Sequence, residues 1–77
     1  MSIKVKYFAS MRDRMGRGED EIPNANGMTV ADLWAKVADG ADLPSSVLIA
    51  VNMEYTDGTH VVKEGDEVAF FPPVTGG

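Results

Sequence analysis

The chain has 77 residues and a net charge of −5, with twelve acidic against seven basic side chains, no cysteine and one histidine. A chain this short makes one domain and buries about 60 to 65 % of the surface its unfolded form exposes, so one modest core must hold it without disulfides or metal. With His60 alone and no thiol there is no ligand set for a zinc or iron–sulfur site and no cysteine nucleophile. The acidic balance argues against nucleic acid or an anionic membrane as a partner, since both reward a basic surface.

The charge is uneven along the chain. Residues 1–18 hold five bases (Lys4, Lys6, Arg12, Arg14, Arg17) and one acid, Asp13, whereas the remainder holds two bases and eleven acids. Such asymmetry suits either a solvated surface or docking to a protein partner. Lys4 and Lys6 interrupt the first apolar stretch and no signal-type apolar region follows. Val47 to Val51 is the longest apolar run, far too short to span a bilayer. The expected location is the cytoplasm.

In chain order, Ile3 to Phe8 alternate with period two, which predicts a strand with Ile3, Val5 and Tyr7 on one face and Lys4, Lys6 and Phe8 on the other. Ser10 to Gly16, with Met11 and Met15 four apart, predicts one or two helical turns stopping at Gly16. Residues 17–28 read as a loop with at most a short edge strand around Glu21-Ile22. The clearest helix runs from an N-cap at Thr29 to about Asp39. Asp32 stands in its first turn, Val30, Leu33, Trp34 and Val37 form one apolar stripe, and Gly40 is placed to end it. Trp34 reads as a core residue.

Val47 to Val51 suits an interior strand covered on both sides. Asn52 to Gly58 contains Asp57-Gly58, a turn signal, His60-Val61-Val62 follows, and a second tight turn falls at Glu64-Gly65-Asp66. His60, without a second histidine or a serine–carboxylate pattern beside it, reads as a surface or turn residue. The last strand is Glu67 to Phe71, with Val68 and Phe70 on one face and Glu67, Ala69 and Phe71 on the other. One amphipathic helix on a small mixed sheet is an α+β pattern.

After Phe71 the chain ends Pro72-Pro73-Val74-Thr75-Gly76-Gly77. Two prolines favour an extended path and donate no backbone hydrogen bonds, so the sheet stops. This divides the chain into a domain over 1–71 and a flexible tail over 72–77. Six residues reach at most roughly 20 Å, enough to enter a deep cleft on another protein, and the final two glycines pass where a Cβ would block. The terminal carboxylate, with an ordinary pKa of roughly 3.5, is ionised at neutral pH and can attack the α-phosphorus of ATP to give an acyl-adenylate.

The run Asp66-Glu67-Val68-Ala69-Phe70-Phe71-Pro72-Pro73-Val74-Thr75-Gly76-Gly77 resembles the C-terminal signature of the molybdopterin synthase small subunits, ubiquitin-like sulfur carriers of the β-grasp fold. Ile3 to Ala9 followed by Arg12 resembles that family's opening strand and turn, and Thr29-Val30-Ala31-Asp32-Leu33 the start of its helix. The resemblance implies a non-catalytic co-substrate. An adenylating enzyme like the ubiquitin-activating enzymes uses ATP on Gly77, a sulfur donor protein converts it to a thiocarboxylate, and the chain itself binds no cofactor. The tail then enters the synthase large subunit, in a heterotetramer, and delivers sulfur to cyclic pyranopterin monophosphate.

Because the first and last strands of a β-grasp fold are parallel neighbours, Phe8 and Phe71 are expected side by side as an apolar patch at the tail root, with Arg12 as a polar rim contact. Three other readings share parts of this pattern: a sulfur carrier for thiamine thiazole synthesis, a ubiquitin-like protein modifier, and a binding module with an inert tail. The Phe-Phe-Pro-Pro run favours the molybdopterin branch. An independent enzyme is disfavoured, because the chain has no nucleophile–base–orienter set and no phosphate loop.

Overall fold

The computed structural model describes residues 2–72, so Pro73, Val74, Thr75, Gly76 and Gly77 lie outside the described residues. The alternation at the N-terminus becomes β1 (Ser2–Tyr7), with Ile3, Val5 and Tyr7 buried. A turn leads into α1 (Ser10–Met15), which buries Met11 and ends at Gly16, whose left-handed φ of 75° suits a residue without a Cβ. The edge strand β2 (Glu19–Pro23) pairs antiparallel with β1 and is longer than its two-residue core of Glu21-Ile22 suggests.

The main helix α2 (Val30–Val37) starts where its cap dictates: the Thr29 hydroxyl accepts the Asp32 N–H at 3.1 Å. It stops two residues short of the expected end. Asp39 rather than Gly40 takes the first left-handed conformation, at φ 54°, and the Gly40 N–H closes back onto the Ala35 carbonyl at 2.7 Å.

Three further strands follow, β3 (Leu48–Val51), β4 (Glu54–Thr56) and β5 (Glu67–Phe71). The sheet order is β2-β1-β5-β3-β4, with β1 and β5 parallel and every other pair antiparallel. This is the β-grasp arrangement, a mixed sheet holding one helix on one face. β4 is a strand that the sequence reading of Asn52 to Gly58, which marks only the Asp57-Gly58 turn, does not assign. Asn52 and Met53, at φ 51° and 69°, make a tight hairpin turn that a methionine rarely occupies, which is why the pattern there does not announce a hairpin.

The core lies between α2 and the sheet. Trp34 meets Phe70 edge to face at 4.9 Å, its indole N–H donates to the Asp42 carbonyl at 3.2 Å, and Tyr7 stacks on Phe70 at 6.2 Å. Such an aromatic pair adds about 0.5–1.5 kcal/mol beyond its area. The Tyr7 hydroxyl donates to Asp20 at 2.8 Å, and Arg17 donates to the same carboxylate oxygen and to the Val37 carbonyl. Burial, then the Asp20 hydrogen bond, push the Tyr7 phenol upward, so it stays a protonated donor. The opposite face of the sheet carries no second layer of structure among the described residues. There β3 is covered in part: Ile49 and Val51 join the core and Ala50 is buried on the open side, whereas Leu48 is only half-buried.

His60 is exposed, as its sequence context suggests, and its carbonyl accepts the Val30 N–H at 2.9 Å. Residues 60–62 run against the loop before α2 through that bond and two more between Val62 and residues 27–28. Among the described residues no helix is long and apolar enough to cross a membrane.

Asp66 is the buried carboxylate, accepting from the Asn52 amide and the Lys63 N–H, both at 2.9 Å, while Asn52 accepts the Glu67 N–H at 3.0 Å. Burial alone pushes this carboxyl up. The Asn52 and Lys63 hydrogen bonds, with the nearby Lys63 and His60 charges, outweigh it and hold Asp66 below the usual carboxylate range. A lowered folded-state pKa stabilises fully above the unfolded value of about 3.9 and loses that contribution as pH falls through the folded value. Denaturant melts over the acid range should therefore show a shallower loss of stability for Asp66→Asn than for the parent, and parallel curves would contradict the network.

Ala9 sits at φ 52°, ψ −128° as the second residue of a turn closed by the Met11 N–H on the Phe8 carbonyl at 3.0 Å. That position normally takes glycine, and a residue with a Cβ there stores about 1–3 kcal/mol of strain. Ala9→Gly is expected to raise the thermal midpoint by about 4–8 °C, the equivalent of about 1 kcal/mol in a domain of this size. An unchanged or lower midpoint would show that the turn is not strained.

Candidate functional site

Strand alternation and one parallel register build the site. Tyr7 pairs with Phe70, so the next residues, Phe8 and Phe71, stand level on the opposite, open face. The Phe8 N–H donates to the Phe70 carbonyl at 3.1 Å, which carries the pairing one residue past β1. The two rings stack with centroids 4.9 Å apart and planes within 7°. Phe8 is 41 % exposed and Phe71 half-buried, a pair of outward aromatics at the point where the chain leaves the sheet.

A third ring completes the row. Tyr55, on β4, is 75 % exposed and lies 6.2 Å from Phe71, tilted by 53°. The sequence reading missed it because Glu54-Tyr55-Thr56 is too short a run to stand out as a strand. The signal available was an asparagine at the first turn position with a β-prone residue three places on.

Arg12 comes from α1, whose first turn is set by the strained Ala9. Its guanidinium lies along Gly18, where an added Cβ would stand 3.4 Å from Nε. It borders a cleft shared with Lys6, Phe8 and Glu19, so it is close to the aromatic row. Three of the other four bases of the N-terminal segment are engaged, Lys6 with Glu67 at 3.6 Å, Arg17 with Asp20, and Arg14 over the Trp34 ring at 5.7 Å, while Lys4 is exposed and makes no ion pair among the described residues. Arg12 makes no ion pair among the described residues.

The open face therefore divides into two halves. Towards β2, Lys4 is in register with Glu21 and Glu67, and Lys6 with Glu19, so opposite charges alternate. Towards β4, Phe8, Phe71, Leu48 and Tyr55 make an apolar half with Arg12 near its margin. Exposed clustered aromatics with an arginine nearby have the composition of interface hot spots. Pro72 is the last described residue, and the reactive position expected at Gly77, with the segment from Pro73 to Gly76, lies outside the described residues. Among the described residues no group of three or more histidine, aspartate or glutamate side chains could hold a metal ion. What the described face offers is contact chemistry: apolar burial plus one free guanidinium.

Comparison with known proteins finds relatives along the whole chain. The Escherichia coli molybdopterin synthase sulfur carrier subunit is 37 % identical, covering 97 % of this chain and 99 % of its own length. A Pyrococcus furiosus structure described as molybdopterin converting factor, subunit 1, superposes with a TM-score of 0.77 at 35 % identity, covering 96 % of this chain and 99 % of that one. SAMP1 from Haloferax volcanii, a small archaeal modifier protein, superposes with a TM-score of 0.78 at 29 % identity over the full length of both chains. The ThiS family profile matches residues 5–77, from the middle of β1 to the final glycine, and the chain belongs to that family.

Proposed function

We propose that this protein is a sulfur carrier in molybdopterin synthesis, with Gly77 as the atom-carrying residue. The observation that carries the reading is the end-to-end likeness to molybdopterin synthase sulfur carrier subunits in a chain that finishes Gly76-Gly77. In this reading an adenylating enzyme binds ATP, the Gly77 carboxylate attacks the α-phosphorus, and pyrophosphate leaves. Sulfide-level sulfur released by a donor protein then attacks the acyl carbon, the bond to AMP breaks and AMP leaves, and the thiocarboxylate remains on the chain. The carrier holds no cofactor of its own and works in the cytoplasm beside these enzymes.

The large synthase subunit then takes the tail, Pro72 to Gly77, into its active site, and sulfur passes to cyclic pyranopterin monophosphate. The aromatic row at the tail root supports this arrangement, because a protein that swallows the tail must press against Phe8 and Phe71. Arg12 supplies a polar contact at the rim. A second reading, a protein modifier whose activated glycine is captured by a lysine amine, is favoured by the likeness to SAMP1. Both readings share the adenylate and part at the nucleophile.

Intact mass of the chain isolated from cells lacking the large subunit tests the carrier reading. The expected product is heavier by the exchange of one oxygen for one sulfur, located at Gly77. Unmodified chain together with higher-mass conjugates to other proteins would transfer the assignment to the modifier.

Docking is tested separately by calorimetry against the large subunit. Phe71→Ala is expected to weaken binding by about 30-fold or more, the scale of a 2 kcal/mol hot spot, with the thermal midpoint little changed because the ring faces away from the core. Unchanged affinity would remove the aromatic row from the interface.

A further inference from the structure

The row of three rings depends on a residue that contributes nothing to the core. On β3, Ile49 and Val51 point into the core under α2, so the Cβ of Ala50 stands on the open face. Ala50 is in register with Ala69 on β5 and with Tyr55 on β4, while Phe71 is opposite Leu48. Tyr55 and Phe71 are thus two strands and two residues apart, which puts their backbones about 12 Å from one another at ordinary strand spacing. Their ring centroids are only 6.2 Å apart. The two side chains must lean towards each other, and the space they lean into lies over Ala50 and Leu48.

The burial of Ala50 agrees. It is 6 % exposed although it belongs to the open face and stands apart from the core cluster, so its cover is supplied by side chains on the open face itself. Nothing beneath it demands a small residue, and strand propensity at an interior position favours a β-branched one.

We propose that Ala50 is a positioning residue of the docking surface: by offering no side chain beyond Cβ, it lets Tyr55 tilt onto Phe71 and closes Phe8, Phe71 and Tyr55 into one continuous aromatic row. The occupant of that row is a flat apolar patch on the protein that receives the tail, the synthase large subunit in the reading above, on which this inference rests. The tail begins at Pro72, immediately after Phe71, and spans at most roughly 20 Å. A protein holding Gly77 is therefore held close to the row. Without Ala50 the row breaks into a pair and a separate tyrosine, which a single flat patch contacts less completely.

Calorimetric titration of the large subunit into Ala50→Val, Tyr55→Ser and the double variant tests this. Ala50→Val is expected to raise Kd by roughly tenfold, the scale of about 1.4 kcal/mol, without lowering the thermal midpoint, and to shift the Phe71 ring resonances as the Tyr55 ring moves off. In the Tyr55→Ser background the same substitution is expected to cost nothing further. Ala50→Ser, which adds a single atom, should bind within about threefold of the parent. Ala50→Thr, of the same shape as valine, takes its place if Ala50→Val lowers the midpoint. A branched residue at 50 that binds as tightly as alanine, or that costs the same with and without the Tyr55 ring, overturns the role. If the branched variant binds normally while Phe71→Ala weakens the complex, only the Ala50 role fails; if Phe71→Ala binds normally as well, the docking reading fails with it.

Discussion

The parallel pairing of β1 with β5, Tyr7 opposite Phe70, is the constraint from which both faces of this protein follow. On the inner side it brings Tyr7 and Phe70 together under Trp34. On the outer side the same register, advanced by one residue, sets Phe8 against Phe71 at 4.9 Å. A slip of one position would exchange the two sets, placing aromatic core residues in water and Lys6 beneath the helix. The core and the outward aromatic pair are therefore specified by one ladder of hydrogen bonds. The core cannot be formed correctly without the outward pair being formed too.

Legibility in the sequence followed the strength of periodicity. β1, α2 and β5 each carry several buried side chains at a regular spacing, and the strand alternation, the Thr29 cap and the adjacency of Phe8 to Phe71 could all be read from it. β4 has three residues and leans on its neighbour rather than on a buried face of its own, so its pattern has too few positions to register. The end of α2 was misplaced because Asp39, not the more permissive Gly40, takes the first left-handed step. Tyr55 was invisible for the same reason as β4. Its proximity to Phe71 is a product of pairing across three strands, and no local window contains both residues.

The charges are arranged so that the fold consumes most of them. Five bases crowd the first eighteen residues, yet Lys6 faces Glu67, Arg17 is held by Asp20 and the Val37 carbonyl, and Arg14 lies over Trp34. The exposed pair is worth little to stability, since surface ion pairs contribute about 0–1 kcal/mol. Its effect is to neutralise one half of the open face, which leaves the aromatic half as the part with unsatisfied contact potential. Of the five bases that crowd the N-terminal segment, only Lys4 and Arg12, the latter lying along Gly18, make neither an ion pair nor a ring contact among the described residues.

In the proposed carrier role, the absence of cysteine from the chain has a chemical consequence. In the reading proposed above, an acyl-adenylate at Gly77 would be open to any nucleophile that reaches it, and a cysteine thiolate is the strongest a protein ordinarily supplies near neutral pH. With no cysteine anywhere in the chain, capture by an internal thioester would be closed in that reading, and six tail residues reaching at most roughly 20 Å would keep the acyl group close to the partner that covers the aromatic row. In that reading the domain contributes no acid, base or nucleophile to the chemistry. It supplies an address, the aromatic row and the Arg12 rim, and the rigidity of a five-stranded sheet behind it. Selectivity for one acceptor then arises from which protein can cover Phe8, Phe71 and Tyr55 while receiving the tail, a geometric requirement that a lone glycine terminus could not impose.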